Sequence, residues 1–392
     1  MFSPTFCAAP WTVYNTNADG SHSLCCVNNK IKYDGNHADW SRSPEMRQVK
    51  RRMLAGKPVK GCEKCYAHEA AGSHSLRMLY NARTTEYLQL RRLRDPRYSE
   101  ISWFDTSISN KCNQKCRICG PYNSTAWYKD AAALADLRWA HPKLPDQAYP
   151  VDRGDTVSRI IDLMSASTAP LIVEMKGGEP LYMSENRQLL KSMIDMGLNE
   201  RTQELRIITN GTQHDAELLD LLNQFSNLNI ALSIDATGKL HEYVRGSNLS
   251  WEQCRKRWSV IAGLPNLKTL RISNTVYAYN IFNLGDLKHW VCSEFGQSVQ
   301  TSDAMLHEPQ YLHAKILPLR LRELACNTLP PDSTLRSVLN SDATQEDFGS
   351  DQPLEEKLEW LRLKFKQYTR RMDRLRNEDL SGLVPELAEM MR

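Results

Sequence analysis

Cys112-Asn-Gln-Lys-Cys116-Arg-Ile-Cys119 places three thiols in one short loop, and this trio sets the frame for everything around it. Iron–sulfur clusters are normally held by four cysteines. A local trio can therefore grip three irons of a cubane and leave the fourth to a distant or non-protein ligand. A zinc knuckle, or a set of reduced buried thiols, is the alternative reading of the same spacing. Downstream, Leu171-Ile-Val-Glu-Met-Lys-Gly-Gly-Glu-Pro180 is an apolar run that reads as a buried strand stopped by two glycines, a carboxylate and a proline. Such an ending leaves backbone polar groups and the Glu179 carboxylate facing a pocket. Leu205-Arg-Ile-Ile-Thr-Asn-Gly211 and Ile230-Ala-Leu-Ser-Ile-Asp235 repeat the pattern, each an apolar strand ending in polar or turn residues.

Between residues 99 and 317 short apolar strands alternate with amphipathic helices. Strands are expected near 101–108, 171–176, 204–209, 229–234, 268–277 and 299–306. Helices are expected over 155–165, 185–196, 215–225, 250–262 and 283–294, where apolar residues recur at three- and four-residue spacing. Strand–helix alternation implies a parallel sheet, with active groups at the C-terminal strand ends. The motifs above all fall at such ends.

The cysteine trio followed by Gly-Gly-Glu-Pro and the two later strand ends resembles the radical SAM superfamily. That resemblance, which with the N-terminal region reaches nearly residues 1–317, implies an α/β fold: a partial (β/α)6 barrel with an N-terminal cysteine-rich twitch-like domain and a C-terminal helical extension. It implies that Cys112, Cys116 and Cys119 hold a 4Fe–4S cluster whose open iron takes the amino and carboxylate groups of S-adenosyl-L-methionine. It further implies that Gly177, Gly178 and Glu179 contact the methionine amino group, and that Ser233 and Arg245 bind the carboxylate and neighbouring atoms. Asn210 would meet the ribose, and Ile118, at a position often aromatic in the family, would cover the adenine. A guanidinium is the natural fork for a carboxylate, whereas by themselves Arg245 reads as an ion-pair residue and Asn210 as a turn residue.

The first hundred residues carry a second constellation: Cys7-Ala-Ala-Pro-Trp11, an Ala-Asp-Gly turn at 18–20, Cys25-Cys26, and Cys62-Glu-Lys-Cys65. Four such thiols suit a tetrahedral zinc site. The arrangement also resembles the twitch and SPASM domains that carry an auxiliary 4Fe–4S cluster, here ahead of the barrel rather than after it. On that resemblance Cys7, Cys25, Cys62 and Cys65 are the ligands, Cys26 is the alternate to Cys25, and two clusters are expected. The implied division is 1–98 for the auxiliary domain, 99–317 for the barrel and 318–392 for a linker and helical extension.

The chain has 392 residues, 41% of them hydrophobic and 24% charged, as in an ordinary globular protein. No apolar run approaches the ~18 residues of a membrane span, and the N-terminus shows no secretory pattern. A cytoplasmic location is therefore expected, and eleven cysteines suit reduced metal ligands better than disulfides. Between positions 42 and 97 fourteen Lys and Arg face five Asp and Glu, a local excess within a net charge of only +4. A solvated helical face is the main reading of this stripe and a nucleic-acid contact the lesser one. Cys254, Cys292 and Cys326 read as buried small hydrophobes. Residues 327–352 read as a linker. Beyond Asp351-Gln-Pro353, a helix carries one apolar seam through Leu354, Leu358, Leu361, Phe365, Tyr368, Met372 and Leu375, for packing on the barrel or for a coiled-coil contact.

The family chemistry implied is reductive cleavage of S-adenosylmethionine and hydrogen abstraction by a 5′-deoxyadenosyl radical, with a flavodoxin or ferredoxin as electron donor. A peptide or protein substrate is expected first, a sugar, aminocyclitol or nucleotide-linked metabolite second. A non-catalytic, metal-stabilised RNA-binding module is the reading from another class. Glu174, Lys176, Asp303 and Glu308 lie near strand ends, but no motif marks a catalytic acid or base.

Overall fold

A computed structural model describes residues 2–28, 30–33, 37–70, 74–87, 91–137, 139–140, 156–331, 333–348 and 352–392. Six strands, β4 (Trp103–Thr106), β5 (Leu171–Met175), β6 (Thr202–Thr209), β7 (Leu228–Ser233), β8 (Leu267–Val276) and β9 (Gln300–Met305), pair parallel in chain order. The helices between them, Thr156–Ala166, Ser184–Asp195, Ala216–Asn223, Trp251–Ala262 and Leu284–Phe295, lie within two residues of the expected ranges. Asp155 and Asp351, expected at helix starts, lie outside the described residues. Local chemistry fixes two of these starts. Asp215 caps its helix by accepting from the Leu218 amide at 2.9 Å, and Ser250 with Gln253 forms a reciprocal capping box.

Alternation along the strands divides the sheet into two faces. Phe104, Leu171, Val173, Leu205, Ile207, Ile230, Leu232 and Ile272 point to the helical layer and build its core with Ile160, Leu189, Leu222 and Trp258. Trp103 and Ile172, one residue out of phase, point the other way and join Phe6, Cys7, Trp11, Val59 and Tyr80. The N-terminal segment thus covers the second face.

It also extends the sheet. Strand β1 (Val13–Thr16) runs parallel to β4, with Val13 opposite Trp103. Strands β2 (His22–Ser23) and β3 (Lys32–Tyr33) follow antiparallel, giving the order β3-β2-β1-β4-β5-β6-β7-β8-β9. The sheet is therefore continuous across position 98. Most cations of the basic stretch are exposed, as expected, but three are engaged within the fold. Lys50 is buried beside Trp11 and donates to the Tyr98 carbonyl at 2.7 Å, while Arg77 pairs with Glu69 and Arg83 with Glu204.

Two expectations for the C-terminal third need correction. The 327–352 segment is no plain linker: it contains helices Thr334–Asn340 and Gln345–Phe348, and it buries Leu335, Leu339 and Phe348 in the core. Its Ser, Asp and Thr content supplies polar turns between apolar anchors. Cys254 and Cys326 are buried as expected, whereas Cys292 is exposed on the outer side of its helix. Helix Leu354–Arg376 buries Leu358, Leu361, Phe365, Tyr368 and Met372 of its seam against the barrel, while Leu354 at its start is partly buried and Leu375 in its last turn is exposed. Among the described residues no helix is long and apolar enough to cross a membrane.

Candidate active site

The cysteine loop leaves the C-terminal end of β4 and is tied to the ends of the next two strands. Gly178 adopts φ +52°, where a side chain would collide with the Lys111 carbonyl. That close approach lets the Glu179 amide donate to Lys111 O at 2.8 Å. Glu179 is 1% exposed. Rather than facing an open pocket, its carboxylate accepts from the Asn210 amide at 2.7 Å, the Leu181 amide at 3.0 Å and the Thr209 hydroxyl. The reason is local: β6 ends here, and its terminal N–H needs a buried acceptor. Burial pushes the Glu179 carboxyl up to about 7, against the three donors that favour the carboxylate.

Asn210 closes the circuit. Its Nδ2 donates to Asn113 Oδ1 at 2.9 Å, and Asn113 Nδ2 donates to Thr212 Oγ1 at 2.9 Å. The Gly-Gly-Glu-Pro turn, the Thr-Asn-Gly turn and the cysteine loop are therefore one hydrogen-bonded unit. From the other side, the Arg117 amide donates to Val244 O at 2.8 Å and Trp127 Nε1 donates to Cys116 O at 2.9 Å.

Arg245, in the last turn of helix Gly238–Arg245, is buried. Its Nε lies 3.0 Å from Asp235 Oδ2 and its Nη1 3.8 Å from Cys116 Sγ. The Nε contact is an ion pair by distance only, since its angle misses hydrogen-bond geometry. Part of the fork is thus already engaged by a carboxylate of the protein. A hydrogen bond from Cys119 and the Arg245 charge hold the Cys116 thiol below its ordinary pKa, while burial raises that of Cys112 to about 12. Ser233 ends β7 half-buried opposite Ser273. Ile118 is half-buried against the cluster containing Trp127, Tyr243 and Tyr279.

The donor set fits an iron–sulfur cluster: three thiols project from a loop whose backbone is satisfied by outside partners, so its shape does not depend on a metal. Among the described residues no three His, Cys, Asp or Glu side chains are gathered around a point that would suit a single ion. A cubane asks for a wider triangle, because each thiolate binds a different iron.

In the N-terminal segment Cys7, Cys25 and Cys62 pack into one core cluster, and Cys65 lies one turn along helix Glu63–Ala70. Cys7 feels the charges of Cys25, Cys62 and Cys65, with burial the main cause of its raised pKa. Asn28 Nδ2 lies 3.5 Å from Cys62 Sγ. Cys26 is exposed, and the charges acting on it are chiefly Lys176 and Asp105.

Sequence reasoning missed Asn113, Arg117 and Trp127. The available signal was three polar residues within and just after a cysteine motif, with no indication of their partners. It also missed Asp105, whose buried carboxylate sits 2.6 Å from Lys176 Nζ. Lys176 in turn lies 3.5 Å from Glu174. On the same face, Glu174, Glu204, Arg206, Asn229 and Arg271 line a cavity of about 280 Å³. Asp303 is engaged by Lys288 at 3.0 Å, and Glu308 precedes Pro309 near the surface.

No family model and no curated protein matches this chain. Solved structures similar to it include native anSMEcpe with bound AdoMet and Cp18Cys peptide, at 16% identity over 52% of this chain and 51% of that one, with a TM-score of 0.38. Streptococcus suis SuiB bound to S-adenosylmethionine is 12% identical over 78% of this chain and 64% of its own, with a TM-score of 0.38. TYW1 with a lysine–pyruvate adduct bound is 16% identical over 57% of this chain and 70% of its own, with a TM-score of 0.30. The chain spans about half the length of the first of these.

Proposed function

We propose that this protein is a radical SAM enzyme acting on a peptide or protein. The observation that carries the reading is the hydrogen-bonded unit joining Lys111, Asn113, Glu179 and Asn210, which gathers the cysteine trio and two strand-end turns into one site. A ligand spanning all three would find its contacts held in one place. A 4Fe–4S cluster on Cys112, Cys116 and Cys119 supplies, when bound, the electron that cleaves S-adenosylmethionine to methionine and a 5′-deoxyadenosyl radical. The chain's own part is to shape and shield: Gly177 and Gly178 keep the turn low against the cysteine loop, and Ile118 offers an apolar face. Arg245, Ser233 and Asn210 are proposed to orient the cosubstrate.

The peptide preference rests on the charged cavity on the sheet's second face. At about 280 Å³ it suits one inserted polar side chain rather than a whole nucleotide. Cys7, Cys25, Cys62 and Cys65 are proposed to hold an auxiliary 4Fe–4S cluster that accepts the electron released on substrate oxidation. A flavodoxin or ferredoxin is the proposed donor. The test is anaerobic incubation of reconstituted protein with dithionite and S-adenosylmethionine. Slow formation of 5′-deoxyadenosine is expected from the wild type and none from Cys116→Ala; persistence in that variant would overturn the reading.

A further inference from the structure

We propose that helix Leu354–Arg376 and the turn after it form a clamp on the cysteine loop, with Arg117 as its positioning residue, and that the clamp sets both the retention and the reduction potential of the cluster held there. The inference rests on the reading above and concerns residues to which that reading gives no role.

Arg117 lies between the second and third cysteines and is fully buried. Its Nη2 meets Asp373 Oδ1 at 2.7 Å and also the Glu378 carboxylate, its Nε donates to Tyr243 O at 3.3 Å, and its guanidinium stacks 3.6 Å from the Tyr243 ring centre. Asp373 is itself fixed by the Tyr243 hydroxyl at 2.8 Å and the Leu380 amide at 3.0 Å. The same helix grips the loop's backbone. Tyr368 Oη donates to Arg117 O at 3.0 Å, and Arg376 Nη2 donates to Lys115 O at 2.9 Å. Arg376 Nε also pairs with Asp130 at 2.8 Å, which Lys115 reaches at 3.1 Å.

Stability alone does not account for this arrangement. A buried ion-pair network gains little over apolar packing of equal volume, because desolvation cancels most of the attraction. What the network adds is direction, since a guanidinium between two carboxylates and over a ring has one orientation. Both carbonyls held by the helix, those of Lys115 and Arg117, flank Cys116, so the clamp fixes the central thiol of the trio. The charges also balance: Lys115, Arg117 and Arg376 face Asp130, Asp373 and Glu378. Removing one carboxylate leaves a net positive charge beside the loop, which favours the more negative, reduced cluster and raises its potential.

The test uses the full chain, reconstituted anaerobically, with Arg117→Lys, Glu378→Gln and Tyr368→Phe. Lysine keeps the charge but loses the fork, and iron retained against a chelator should fall about tenfold in affinity, the usual effect of removing a ligand's supporting partner. Glu378 is partly exposed, so Glu378→Gln should fold, keep its cluster and show a more positive midpoint potential. Tyr368→Phe should alter the electron paramagnetic resonance change produced by S-adenosylmethionine, a signal that singles out the cluster with an open iron. A purely structural helix would lower the melting temperature and leave potential and spectrum unchanged. Wild-type potential, spectrum and iron retention in all three variants would overturn the clamp. Failure of the wild type to load a cluster on Cys112, Cys116 and Cys119 would overturn the functional reading, and the clamp with it.

Discussion

The side-chain amide of Asn210 donates to Asn113 Oδ1 at 2.9 Å, so the turn closing β6 and the loop between the first two cysteines move as one body. Asn210 Oδ1 already accepts from the Thr212 amide at 2.9 Å and its hydroxyl at 2.7 Å. Both oxygen lone pairs are therefore used, and one N–H remains for any ribose contact. Asn113→Ala should keep its iron yet bind S-adenosylmethionine about five- to tenfold more weakly, the equivalent of one lost hydrogen bond. Equilibrium dialysis against the reconstituted protein reads this out, and wild-type affinity would show that the link does not shape the cosubstrate site.

Glu179 makes a stability prediction that needs no metal. Its carboxylate accepts three hydrogen bonds and touches no solvent. Glutamine at this position keeps the volume but turns an NH2 group toward donors. Glu179→Gln should destabilise the metal-free protein by about 1–3 kcal/mol, the cost of leaving buried polar groups unmatched. Chemical denaturation monitored by tryptophan fluorescence would measure it. An unchanged midpoint would mean that the turn rearranges at no cost.

The six parallel strands were legible because each is a short apolar run closed by turn residues, a signal that survives without tertiary information. The run from Ile230 to Asp235 is representative, since its buried alternate residues and polar end are both visible in the chain. β1 was not legible as a barrel neighbour. Its four residues, Val-Tyr-Asn-Thr, carry no sign that they pair with β4 across nearly ninety intervening positions. The helices within 327–352 were hidden for a related reason, since three buried anchors, Leu335, Leu339 and Phe348, give no period that stands out among polar turns. Arg117 shows the limit for site residues. Its identity is plain in the sequence, but its partners Asp373 and Glu378 come from the far end of the chain.

Two buried imidazoles predict the acid limb of the stability profile. Burial lowers the pKa of both His37 and His241 from the ordinary 6.5 to about 3, helped by the His22 and Lys50 charges at the first and the Arg245 charge at the second. Between those values the unfolded chain binds more protons than the folded one. Stability from these groups is thus complete above pH 6.5 and lost as the pH falls toward 3. Each ring packs against aromatic neighbours, His37 on Tyr14 and Trp40 and His241 on Trp251 and Trp258. Phenylalanine can occupy those sites with little change in volume. His37→Phe and His241→Phe should each flatten the fall between pH 6.5 and 4 in urea midpoints. A slope equal to that of the wild type would show that the two rings titrate normally.

The adjacent thiols of Cys25 and Cys26 separate two roles that the sequence left open. Cys25 packs with Cys7 and Cys62, whereas the side chain of Cys26 is exposed and lies outside that cluster. If the N-terminal thiols hold an auxiliary cluster, anaerobic reconstitution should give about eight irons per chain, two cubanes of about four each. Cys25→Ser should then lose the iron of one cubane to a chelator faster than Cys26→Ser, which should hold near eight like the wild type, because a cluster built on four thiolates loses one of its anchors. The Cys25→Ser protein should still cleave S-adenosylmethionine without substrate, since that step depends on the other trio. The reverse pattern would make Cys26 the ligand and require the chain after β2 to turn over. A wild-type content near four irons together with bound zinc would remove the auxiliary cluster and leave the Cys112, Cys116 and Cys119 site untouched.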